Sequence, residues 1–77
     1  MNMTREDLVR TLDEARQRFF RADLDLKSFR FSYPAKSEDF EAWAQLRNAW
    51  DQRDEELQAA QEALRDFDRG KINWQSN

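Results

Sequence analysis

The chain has neither cysteine nor histidine. Without them there are no disulfides, no thiolate or imidazole metal site, and no Ser–His or Cys–His nucleophilic pair. A single glycine excludes glycine-rich loops that cradle phosphate, and a single proline, Pro34, leaves one obligatory break in an otherwise helix-compatible sequence. No apolar run approaches the ~20 residues needed to span a membrane, and Met1 to Thr11 lacks the charged-then-apolar layout of a signal peptide. The expectation is a cytoplasmic, soluble chain that is not an enzyme and carries no cofactor or metal.

Charge is plentiful but nearly balanced. Charged residues make up 38% of the 77 positions at a net charge of −3. Residues 1–36 hold eight Lys or Arg against six acids, and residues 37–77 hold five against ten, so the halves stand at +2 and −5 and favour packing together. Ten aromatics separate the composition from that of a disordered chain. A chain this short buries only about 60% of its unfolded surface, so help from a partner is expected.

The organising stretch runs from Ser37 to Gly70. Trp43, Trp50, Leu57 and Leu64 recur every seven residues, with Leu46, Ala60 and Phe67 three positions further on, the apolar seam of a long helix. Arg53 interrupts that seam; it either meets a carboxylate of a neighbouring chain or snorkels to the rim. Ser37 reads as the N-cap, Glu38, Asp39 and Glu41 favour the helix start, and Gly70 is the residue type that ends helices.

Upstream, Thr4 reads as an N-cap with Glu6 and Asp7 in the first turn, followed by an apolar stripe of Leu8, Leu12, Ala15, Phe19, Ala22 and Leu26. Val9, Phe20 and Leu24 fall to one side of it, either as a widened core face or as a partner-binding patch. Between the helices Phe29, Phe31 and Tyr33 alternate with polar residues, and Pro34 forbids a helix through this point. An extended aromatic connector is expected.

The predicted fold is all-α: helix 4–27, connector 28–36, helix 37–69 and tail 70–77, forming an antiparallel helical hairpin. Two helices cannot hide the seam of the second. A homodimer would, as a four-helix bundle with Trp43, Trp50, Arg53, Leu57 and Leu64 along the dimer seam. Phe20, Leu24, Phe31, Tyr33 and Trp74 have no evident partner within the chain and are the predicted partner-binding residues.

The residues offer two chemical alternatives. Asp51, Asp54 and Glu55 share one helical face and could hold a divalent cation weakly, but such runs are usually solvated. Arg10, Arg16, Arg18, Arg21, Lys27 and Arg30 give the first helix a basic side, interrupted by Asp13, Glu14, Asp23 and Asp25, which argues against nucleic acid. The expected function is therefore binding: a small regulator that inhibits, adapts or escorts another protein. Its size, its lack of catalytic residue types and its surplus aromatics are those of accessory proteins that phages and mobile elements encode.

The sequence of a helix, a short aromatic segment and a helix opening at Ser37-Glu38-Asp39-Phe40 is similar in outline to small head–tail joining proteins of tailed phages. Those proteins place a β-hairpin between two helices. The resemblance implies the alternative role, a structural or chaperone-like subunit in a symmetric assembly.

Overall fold

The computed structural model describes the backbone of residues 4–76 and the side chains of residues 4–70. Two helices, α1 (Arg5–Ser28) and α2 (Ser37–Ser76), pack antiparallel as a hairpin. Among the described residues there is no strand, so the connector carries none of the β-hairpin that the head–tail joining outline implied. Phe29 leaves α1 in an extended conformation and the Tyr33–Pro34 peptide is cis.

Both helix starts are fixed by side chains. The Thr4 hydroxyl accepts from the Asp7 N–H at 3.1 Å while the Asp7 carboxylate accepts from the Thr4 N–H at 3.2 Å, a complete capping box. At α2 the cap lies one residue before the expected Ser37. The Lys36 carbonyl accepts from the Asp39 N–H at 3.0 Å and the Phe40 N–H at 3.4 Å, and the Asp39 carboxylate accepts from the Lys36 N–H at 2.9 Å. That return bond is the half of a capping box to which any residue with a backbone N–H can donate, so a lysine serves as cap.

The predicted end of α2 at Gly70 is not observed. The helix continues to Ser76, and no glycine has a positive φ. Glycine permits a left-handed terminus without imposing one, and here it sits inside the helix at the usual entropic cost. A Cβ at Gly70 would meet nothing within 4 Å. Gly70→Ala is therefore expected to raise stability by about 0.5–1 kcal/mol, read as a higher thermal midpoint at fixed protein concentration.

The core is thin. Among the described residues Leu8, Leu12, Ala15, Ala22 and Ala60 are the buried apolar ones, and no large side chain is fully enclosed. Leu12, Ala15 and Ala60 form its centre, with Leu57 and Leu64 packed against them. Arg5 clamps the open end through its guanidinium to Asp68 at 3.0 Å. At 1.5 Å per residue α1 is about 36 Å long and α2 about 60 Å, which matches a body of 64 × 20 × 18 Å. Past Asp68, α2 has no stretch of α1 beside it.

Candidate interaction surface

The two tryptophans of the seam have different surroundings. Trp50 lies against Phe19 with ring centroids 5.3 Å apart, donates its Nε1–H to Asp23 at 3.0 Å, and has the Arg47 guanidinium 5.2 Å from its ring centre. Asp23 also receives Lys27 at 2.9 Å, and these two donors, Lys27 first, hold its carboxyl below the ordinary 3.8. Trp43, one heptad earlier, is 38% exposed. Leu57 and Leu64 of the predicted dimer seam are partly covered by the hairpin's own core.

Within its own chain the Arg53 guanidinium binds both oxygens of Glu56, one turn along its own helix. At this spacing a partly covered arginine reaches a neighbour three residues on. Of the two readings of Arg53, a neighbouring chain's carboxylate or the rim, neither named Glu56.

Four of the five predicted partner-binding residues are exposed: Phe20 by 68%, Leu24 by 51%, Phe31 by 43% and Tyr33 completely. Phe31 nevertheless has partners in its own chain, its ring 5.1 Å from Phe29 and 5.0 Å from Phe40, so the connector closes on an aromatic cluster. The side chain of Trp74 lies outside the described residues. Phe40 is 57% exposed and was not singled out. Its signal was available, since an aromatic three residues before Trp43 falls off the heptad seam.

The connector is tied down by one carboxylate. Asp39 accepts from the Lys36 N–H, from the Ser32 N–H at 3.1 Å and from the Ser32 hydroxyl at 3.2 Å. The Lys36 and Ser32 donors hold Asp39 below 3.8, so it binds its proton more weakly in the folded chain than in the unfolded one. Its contribution is thus complete above pH 3.8 and is lost as the pH falls through the lowered value. Asp7, held down by Thr4, and Asp23 act in the same sense. The Ser32 and Lys36 amide resonances are expected to move together on acidification below pH 3.8. In Asp39→Asn that step should be missing.

Three arginines on the basic side of α1 have an acid of their own helix within reach. Arg16 faces Asp13 at 3.9 Å, Arg18 faces Glu14 at 3.8 Å and Arg21 faces Asp25 at 3.9 Å. On α2, Asp51 pairs with Arg47 at 3.4 Å and Asp54 accepts from Gln58 at 2.9 Å. Among the described residues no group of three or more acids is arranged to hold a metal ion, and no helix is long and apolar enough to cross a membrane. Set against known protein families, curated proteins and solved structures, the chain matches none.

Proposed function

We propose that this chain is a non-enzymatic interaction protein. It pairs with a second copy into a four-helix bundle and docks, through Leu24 and the connector's Tyr33 and Phe31, on another protein that it regulates. The observation that carries the reading is the uncovered surface. A compact chain of 9.3 kDa exposes about 5,000 Å², whereas this one exposes 6624 Å². The difference is about twice the ~800 Å² that each partner contributes to a standard protein interface. The radius of gyration points the same way, 18.0 Å against about 11.5 Å for a compact domain of this length.

Size-exclusion chromatography with light scattering tests the pairing: a discrete dimer is expected. A monomer at all concentrations removes the pairing, and rings that grow with concentration favour the assembly-subunit role instead. Affinity capture from the source cell tests the docking. The captured protein should be lost with Leu24→Asp and Tyr33→Ala while the dimer persists.

A further inference from the structure

The hairpin has two unlike broad sides. On one, a shallow groove between the helices has Ala22, Leu46 and Ala49 in its lining beneath Glu14, Arg18, Arg21 and Asp25. The hydrogen bond from Trp50 to Asp23 marks the other side. At about 100° per residue, Arg16 lies on the Asp23 side of α1 with Phe20 at its outer edge, while Trp43 and Asp54 lie on the Trp50 side of α2. This second side offers the exposed rings of Phe20 and Trp43, and it suits a protein partner better than the charged groove.

Two such sides can be laid face to face by a two-fold axis in two ways. With the axis across the helices, α1 lies on α1 and α2 on α2 of the second copy. With that axis at the middle of α2, Asp51 and Asp54 on this side then meet their own images. With the axis along the helices, each α1, from the half at +2, lies on an α2 from the half at −5. This second arrangement keeps every residue at its height along the bundle. Phe19 is level with Trp50 and Arg5 with Asp68, so Arg16 comes level with Asp54 of the second copy to within a turn. Arg16 is suited to that bond, since its own-chain partner Asp13 is at 3.9 Å and both side chains are largely exposed.

Resting on the dimer reading above, we propose that the second copy covers the Trp43–Trp50 side with the two-fold axis along the helices. Each α1 then packs on the other copy's α2, and Arg16 faces the second copy's Asp54. Both connectors lie at one end of this bundle, and the uncovered lengths of both α2 helices at the other.

With no native cysteine, the full chain carrying Ala35→Cys takes one spin label per copy, and pulsed dipolar spectroscopy measures the separation of the connectors. The proposal expects a distance within about 25 Å, a few interhelical spacings. Connectors at opposite ends would be at least about 40 Å apart, because the length of α1 separates them. A dimer with the long distance overturns this arrangement and leaves the dimer intact; a monomer by light scattering overturns both. Independently, Arg16→Glu is expected to weaken dimerisation at least tenfold with unchanged helicity, and Asp54→Arg in the same chain to recover most of it. No recovery would overturn the Arg16–Asp54 contact.

Discussion

Leu12→Ala is expected to lower the thermal midpoint by about 10–25 °C, followed by circular dichroism at fixed protein concentration, because a dimer's midpoint moves with concentration. Among the described residues three of the five buried ones are alanines, so the larger apolar side chains carry most of the packing between α1 and α2. Leu12 is 7% exposed and meets Ala15 and Ala60 at the centre of the core, where Leu57 and Leu64 close around it. Truncating a leucine in such a place costs about 2–4 kcal/mol, part lost transfer energy and part cavity. A chain of 77 residues has roughly 4–11 kcal/mol to lose, and this thin core puts it towards the low end. Tyr33→Ala supplies the contrast: its side chain is fully exposed, and the expected change is within about 0.5 kcal/mol. A drop of only a few degrees for Leu12→Ala would mean that the helices are not joined through this cluster.

What the sequence showed of the fold follows from which signals are local. Thr4 with Asp7 three residues on, the alternating stripe through Leu8, Leu12, Ala15 and Ala22, and Pro34 are patterns whose meaning is set by the nearest turn of chain, and the hairpin followed from them. Features that depend on what lies opposite were less legible. Gly70 can end a helix but does so only where a left-handed residue is required. Arg53 can reach across a seam, and within its own chain it binds Glu56 one turn away. Asp39 read as ordinary helix-start charge, while its role is to hold Ser32 and Lys36 of the connector. Phe20 and Leu24 were legible as exposed because they stand off the stripe of α1. Periodicity did not reveal that Phe31 would close on Phe29 and Phe40, since the path of the connector decides that contact.

The two seam tryptophans separate folding from association. Trp50→Ala removes the packing on Phe19, the donor to Asp23 and the ring beneath Arg47, all within one chain. Full burial would put the loss near 3–5 kcal/mol, and partial cover brings it to about 2–3 kcal/mol. Even dilute samples should therefore melt at least about 10 °C lower. Among the described residues the Trp43 side chain makes no ring contact or hydrogen bond, and at 38% exposure its truncation should cost the hairpin about 1–2 kcal/mol. Its effect should appear instead in the dimer. An interface tryptophan that loses about 1 kcal/mol or more on truncation loses it twice in a symmetric dimer, so the dissociation constant should rise by at least about thirtyfold. Light scattering across a dilution series reads that change, and circular dichroism confirms retained helix. If Trp43→Ala dissociates no more readily than the parent chain while Trp50→Ala melts early, the tryptophans belong to the hairpin alone, and the second copy must sit on another side.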